Sequence, residues 1–595
     1  MVISPASICA LGACAATLLY VFYLHLLPKP YPGIPYNKEA VTSLFGDLPI
    51  ARRESKGNFS KWIADQAPRH NSPIVQLFLQ PFHKPAILIC DYREAQDMLM
   101  RRKGFDRSDT DIAILSGTSG HFHMNLKTNE TWKTHRRLIQ HLISPEFLHG
   151  VAAPKIYESA VRLLELWEIK RQVSEGKAFA ADVDIFHAIL DAIYDFTFGD
   201  AFEDRLLLPQ INILKSLDEK QLLQLRRNSK NSDRLHFEPA PVDDRSNLLL
   251  HALDLFTTMA ATGVPRLAWK AAMFVPRIRR DRDARRNIIK EQVLKGIAPL
   301  EDKGNETEGA EVKCAVDHML RQERNMAAKD EREPVYWSPT MRDERLILTL
   351  SEVLGFVIAS HDTTSTTFCW ALKFLSDNPA SQSCLRNTLQ LSYPAAFTPR
   401  RLPTADEMTS ASIPYLDAFV EEVLRIAHTI GAQNRSTTED TVILGHPIPK
   451  GTQVFFGNRG PGFVAPPLPI DESVRSETAQ AALREGRARP YDEKMWYGDE
   501  DMRGDVFEPA RWLVTDPETG REAFDAAAWP TMPFGAGRRG FYGRKLAYMK
   551  LKVVLTLLVW KFEFCVCPED LSGYERIQIF TSKPQKTYIS LRPVP

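Results

Sequence analysis

Cysteine is scarce in this chain: 8 thiols are scattered over 595 residues, and only Cys565 and Cys567 stand close together. That excludes a disulfide-stapled scaffold, and a single C-x-C without a second pair is no zinc site. The thiols read as reduced, in a cytosolic body. An excess of either charge is lacking too, because 75 Lys and Arg offset 74 Asp and Glu for a formal net charge of +1. The chain as a whole therefore lacks the footprint of a nucleic-acid binder. Internal repeats are absent, which excludes solenoids and propellers. Against these absences stand 44% hydrophobic and 25% charged residues. That ordinary globular balance rules out a wholly disordered chain, and the length requires several ordinary domains or one unusually large one.

Long apolar runs are missing as well, with one exception. The 21 positions Ser7 to Leu27 hold no Asp, Glu, Lys or Arg. As a helix they would span roughly 31 Å, the thickness of a bilayer core. No Lys or Arg precedes them, whereas Lys29, Lys38, Arg52 and Arg53 follow. The positive-inside rule then makes residues 1–27 a single-pass anchor in the endoplasmic reticulum membrane, with the body in the cytosol. A cleaved signal peptide is the competing reading, but the basic n-region and the small-residue cleavage site are missing. Pro28, Pro30, Pro32 and Pro35 make 28–36 a stiff spacer. N-x-[ST] triplets at Asn58, Asn129, Asn305 and Asn434 would go unused in a cytosolic body.

Past the spacer, Ile74 to Leu79 and Ala86 to Cys90 are short apolar runs separated by Pro81-Phe-His-Lys-Pro85, which predicts a strand pair. Helical periodicity dominates from Tyr92 to about Leu391. Its longest instance, Arg342 to Ser376, holds no proline and stops at Asp377-Asn378-Pro379. A helix of roughly 50 Å is expected there, crossing the whole domain. Arg544 to Lys561 is a further helix, and Ile577 to Phe580 with Thr587 to Leu591 should form a closing hairpin around Ser582-Lys-Pro584. Polar stretches at 226–246, 300–312 and 461–490 read as loops, the last as a surface insertion. Helices with small sheets between them define a mainly α, α+β fold.

Gly535-Ala-Gly537-Arg-Arg-Gly540 matches G-x-G-x-x-G, but a dinucleotide site needs a strand before it and an acidic residue about 20 positions on. Here Trp529-Pro-Thr-Met-Pro533 precedes it and Trp560 stands at the acidic position, so that reading fails. A longer pattern fits: Phe534-x-x-Gly537-x-Arg539-x-Phe541-x-Gly543, running into a helix. Four other motifs accompany it. They are Trp132-x-x-x-Arg136, Ala359-Ser-His-Asp362-Thr363-Thr364, Glu422-x-x-Arg425 and Phe507-Glu-Pro-Ala-Arg511-Trp512. Together, in order and spacing, they resemble the cytochrome P450 (heme-thiolate monooxygenase) family over roughly residues 30–595. The resemblance implies the cytochrome P450 fold behind an N-terminal transmembrane helix, with one catalytic domain over 37–595. One position departs. Where the family carries its iron-ligating cysteine, this chain has Phe541.

The family's cofactor is heme, a flat apolar disc with two carboxylates. The resemblance implies that Trp132, Arg136, Arg435 and Arg539 hold those propionates. It makes Glu422, Arg425 and Arg511 a buried structural ion network. Asp362 and Thr363 become the catalytic pair, Asp362 as a proton relay, and Ala359 and Thr363 share the helix face toward the ring. Ser360 stands where the family usually has Gly. Lys133, Arg137, Arg538, Arg544 and Lys545 would face an NADPH-dependent reductase.

No metal ligand is assigned, because Phe541 has no donor atom. Tyr542 is one residue out of register, His361 lies about 200° round the helix from Ala359, and Cys565 and Cys567 come only after the following helix. In this family the thiolate donates electron density that helps to split O–O. Without it, heme binding is expected to be weak or absent and ordinary hydroxylation lost or slowed. Three readings stay open. One is the family role, oxidation (monooxygenation) of a small lipophilic intermediate of secondary metabolism, in impaired or atypical form. The second is redox-neutral cyclisation or rearrangement in the same pocket, where positioning contributes roughly 7–11 kcal/mol. The third is a non-catalytic scaffold or binding protein. Resemblance to fungal secondary-metabolite enzymes implies a terpenoid, polyketide or alkaloid substrate.

Overall fold

Helix-forming segments assemble around the longest of their number. In the computed structural model, which describes residues 5–120, 122–199, 202–229, 232–302, 312–332, 344–497, 503–578 and 580–594, that helix is Glu344–Asp377, 34 residues and about 51 Å long. Arg342, with which the expected helix begins, lies outside the described residues. The second half of the helix is buried all round, with Phe368, Cys369, Trp370, Ala371, Leu372 and Leu375 fully enclosed. A helix apolar on every face belongs between layers. It packs against helices Asp182–Phe198, Pro414–Ala427 and Arg544–Lys561.

A five-stranded sheet has the order Ile74–Leu77, Ala86–Ile89, Gln453–Gly457, Ala432–Thr437, Phe105–Asp106. The first two strands form the expected antiparallel pair, with Val75 opposite Leu88. Ala86–Ile89 runs parallel to Gln453–Gly457. At the far edge Arg435 stands opposite Val454, and Asp106 opposite Ser436. Edge pairing therefore carries Arg107 to the neighbourhood of Arg435.

The C-terminal strands pair differently from expectation. Arg576–Gln578 pairs with Ser582–Pro584, while Tyr588–Pro593 joins Phe562–Cys565 and Phe179–Ala180. Ser582-Lys-Pro584 is strand and not turn, because its backbone has other partners: Ser582 N–H donates to the Thr429 carbonyl, and its own carbonyl accepts from Trp370 Nε1. Ile579, inside the expected first strand, lies outside the described residues. The insertion is built and docked rather than loose. It contains helix Glu477–Arg484, and the buried Arg475 is clamped by Asp91 at 2.8 Å and 3.3 Å. Residues 303–311, with Asn305, lie outside the described residues.

At the N-terminus, Pro5–Leu26 is a 22-residue helix whose Leu18, Leu19, Val21 and Phe22 are exposed. Among the described residues, no helix is long and apolar enough to cross a membrane.

Candidate functional site

The glycine loop is shaped by backbone conformation. Gly535 and Gly537 have φ of +69° and +66°, and a Cβ on Gly537 would lie 2.0 Å from the Leu99 carbonyl oxygen. Only glycine satisfies both constraints. A short 3₁₀ turn, Gly537–Arg539, then turns the chain toward helix Arg544–Lys561. Phe541 N–H donates to the Phe534 carbonyl at 2.8 Å, and the two rings stack at 6.0 Å. Both rings line a cavity of about 1230 Å³, together with Phe122, Ile358, Phe455, Phe463 and Leu551.

One edge of this cavity is cationic. Arg107, Arg435 and Arg539 all line it. Arg435 Nη1 donates to the Asn434 carbonyl at 2.7 Å, and Arg539 Nη2 to the Leu126 carbonyl at 2.8 Å. Arg539 Nη1 and Arg107 Nε are buried without a partner. Burial, then the like charge of Arg107, pulls Arg539 down to about 9 and Arg435 to about 10. Guanidiniums strained in this way are complementary to an anion. Trp132 and Arg136 are not part of the lining. They stand behind Arg539 in a stack, with the Arg539 guanidinium 5.0 Å from the Trp132 ring and Arg136 5.3 Å from Trp132 and 3.7 Å from Tyr542. The cavity edge thus differs from the sequence expectation: Arg107 takes a place that Trp132 and Arg136 do not reach. Only the sheet edge brings Arg107 there.

On the long helix, Ala359, Thr363, Thr364 and Thr367 line the cavity. Thr363 Oγ1 donates to the Ala359 carbonyl at 2.9 Å. Asp362 is absent from the lining, and its Oδ2 accepts from Thr581 Oγ1 at 2.7 Å. Burial pushes its carboxyl up, with the Thr581 hydrogen bond opposing. The expected proton relay is therefore engaged by the C-terminal hairpin, because residue 362 falls on the next face of the helix. His361 also serves packing: its Nε2 meets the Phe186 carbonyl at 3.0 Å. Also in the lining, Asn458 is buried with Oδ1 unpartnered, and Thr367 and Thr429 share a hydrogen bond of 3.0 Å.

Beneath the loop the ion network is complete. Glu422 accepts from Arg425 Nε and Nη2 at 2.8 Å each, from Arg511 Nε and Trp512 Nε1 at 2.9 Å each, and from the Glu508 N–H at 3.0 Å. Burial works against its charge, but Arg425 and Arg511 outweigh it and hold the carboxyl below its usual range. A second buried cluster gave no sequence signal. Glu352 accepts from the His123 N–H at 2.7 Å, His123 Nδ1 at 2.8 Å and His135 Nδ1 at 2.6 Å. It ties the long helix to the turn that ends at Leu126, the residue whose carbonyl holds Arg539. No local pattern links positions 123, 135 and 352, so only the fold reveals the cluster.

The ring and its carboxylates fit this pocket: apolar walls, and buried arginine donors lacking acceptors at one edge. At the family's ligand position the iron finds no donor. Phe541 offers carbon alone, and burial pushes the Tyr542 phenol up, which keeps it neutral. Cys565 and Cys567 lie beyond the 18-residue helix, and Cys567 Sγ is 3.5 Å from the Tyr588 carbonyl.

A long helix, a glycine loop and an arginine edge around one apolar cavity define the heme-thiolate type of protein. The cytochrome P450 family model matches residues 263–458 and 492–591. A cytochrome P450 monooxygenase, TRI13, of Fusarium sporotrichioides is 37% identical over 98% of this chain and 99% of its own length. Another, xilC of Penicillium rubens, is 34% identical over 98% and 96%. Among solved structures, the cytochrome P450DA heme domain shares the fold with a TM-score of 0.63 at 18% identity, covering 95% of this chain and 99% of that one. The chain belongs to the cytochrome P450 family.

Proposed function

We propose that this protein acts in fungal-type secondary metabolism on a small lipophilic intermediate, held at the cytosolic side of the endoplasmic reticulum membrane by the N-terminal helix. The single observation that supports the reading is the combination of an intact cavity, arginine edge and threonine-lined long helix with Phe541 at the ligand position. A thiolate-ligated heme supplies oxygen activation, with NADPH-derived electrons from a reductase. Here the donor is missing, so family-type monooxygenation is impaired. What the chain's own residues retain is binding and orientation. The aromatic walls exclude water, Thr367 and Thr429 present hydroxyls, and Asn458 Oδ1 accepts a hydrogen bond from a hydroxyl or amide of the ligand. The missing donor favours a second reading, redox-neutral cyclisation or rearrangement by positioning. Lys133, Arg137, Arg538, Arg544 and Lys545 are all exposed, as docking to an acidic reductase requires.

The test compares metabolites of cells with and without the gene, then with Phe541→Cys. A variant that gains both a thiolate carbon monoxide spectrum and product identifies a disabled monooxygenase. One that gains the spectrum and loses product identifies the redox-neutral enzyme. Identical metabolites with and without the gene refute a catalytic role.

A further inference from the structure

We infer that the cavity binds flat, apolar dicarboxylic tetrapyrroles whether or not they carry a metal, through its arginine edge and aromatic walls alone. The inference rests on reading the cavity as the family's ligand pocket, and it names what selects the ligand there. Two halves of a heme site come apart in this chain. The edge half is intact: Arg107, Arg435 and Arg539 line it, with Arg136 behind. Three acids answer these four cations, and all are already engaged: Glu352, near Arg136, is held by His123 and His135. Asp106 accepts from Thr128 Oγ1 at 2.7 Å, from the Thr128 N–H at 2.9 Å and from the Arg107 N–H at 2.7 Å. Asp111 accepts from Asn434 Nδ2 at 2.7 Å and lies 3.5 Å from Arg107. Arg539 Nη1 and Arg107 Nε are left without acceptors. Buried donors in that state carry a desolvation cost that a dianion relieves.

The walls are the second contribution. Phe122, Phe455, Phe463, Phe534 and Phe541 supply apolar area for a flat ring. The metal half is missing. An axial donor normally makes the iron ring bind more tightly than the metal-free one. At position 541 a phenyl ring stacked on Phe534 replaces that donor and gives the metal no reward. On the long helix Ala359, Thr363 and Thr364, which share the lining, offer no side-chain nitrogen or sulfur. The remaining donors of the lining are His428, whose ring is hydrogen-bonded to the Asn458 backbone, and the Met124 and Met532 thioethers, and ligation by any of them would show in the titration below as a preference for hemin.

The experiment titrates the full-length protein, produced without added heme precursor, with hemin, metal-free protoporphyrin IX and protoporphyrin IX dimethyl ester. Quenching of tryptophan emission and ring absorbance report binding. In the wild type, hemin and the metal-free diacid should bind within tenfold of each other, and the ester at least tenfold more weakly than the diacid. Phe541→Cys should tighten hemin tenfold or more and leave the metal-free ring within threefold. Arg435→Gln should weaken both diacids alike. If that variant does not fold, the ester comparison on the wild type carries the same test. A wild type that prefers hemin tenfold or more overturns the inference and points to His428 or another donor. So does an ester that binds as well as the diacid, or no binding of either ring. None of these titrations needs turnover, so a failure of the proposed function appears separately, in the metabolite comparison.

Discussion

Replacing Lys550 with methionine should stabilise the protein, and the gain should depend on pH. Lys550 lies on the helix that follows the glycine loop, 1% exposed, with its Nζ donating to the Ser360 carbonyl at 2.9 Å. Among the described residues no acidic side chain pairs with it. Burial pulls its ammonium down to about 7. An unfolded lysine titrates near 10.4, a difference of about three units at about 1.4 kcal/mol each, so the folded state carries about 4 kcal/mol of cost at and below neutrality. Between about pH 7 and 10.4 the unfolded chain binds the extra proton, so stability rises with pH across that window and is lowest below it. Methionine keeps the apolar stem and removes the charge, at the loss of one hydrogen bond to Ser360 worth about 1 kcal/mol. Lys550→Met should therefore be more stable by about 3 kcal/mol at pH 6.5 and lose that advantage near pH 10. Urea midpoints of both detergent-solubilised proteins, followed by circular dichroism at the two pH values, measure this. A gap between wild type and variant that does not change with pH refutes the reasoning, because it means that Lys550 titrates as an exposed amine.

Glu422→Gln leaves Arg425 and Arg511 buried without their carboxylate, and should lower stability by about 3–5 kcal/mol or abolish soluble expression, read by thermal unfolding. Gly537→Ala meets both a φ of +66° and the Leu99 carbonyl, and should abolish ring binding in the titration above while other loop-surface changes do not. Lys545→Glu should slow association with an acidic reductase in stopped-flow mixing, with the difference shrinking as salt rises; an unchanged rate removes that docking face. Protease added to sealed microsomes should digest the body of the protein, and full protection would overturn the cytosolic orientation.

Three asparagines show how local and tertiary information divide. As N-x-[ST] triplets they read alike in sequence. In the structure Asn58 and Asn129 cap helices, accepting from the Lys61 and Trp132 N–H groups, and Asn434 donates to Asp111 at the cavity wall. The long helix, the glycine loop and the Glu422 network were legible in the sequence, and so was the phenyl side chain at 541. Each depends on residues close in the chain or on one side chain's chemistry, so spacing carries the information. Tertiary structure alone decided that Arg107 joins the cavity edge while Trp132 and Arg136 stand behind it. It alone turned Asp362 to Thr581, drew Glu352 between His123 and His135, and made Ser582–Pro584 a strand. Each of these outcomes depends on which distant segments pair or pack. Burial and hydrogen-bond satisfaction settle those pairings, and neither is encoded in local periodicity.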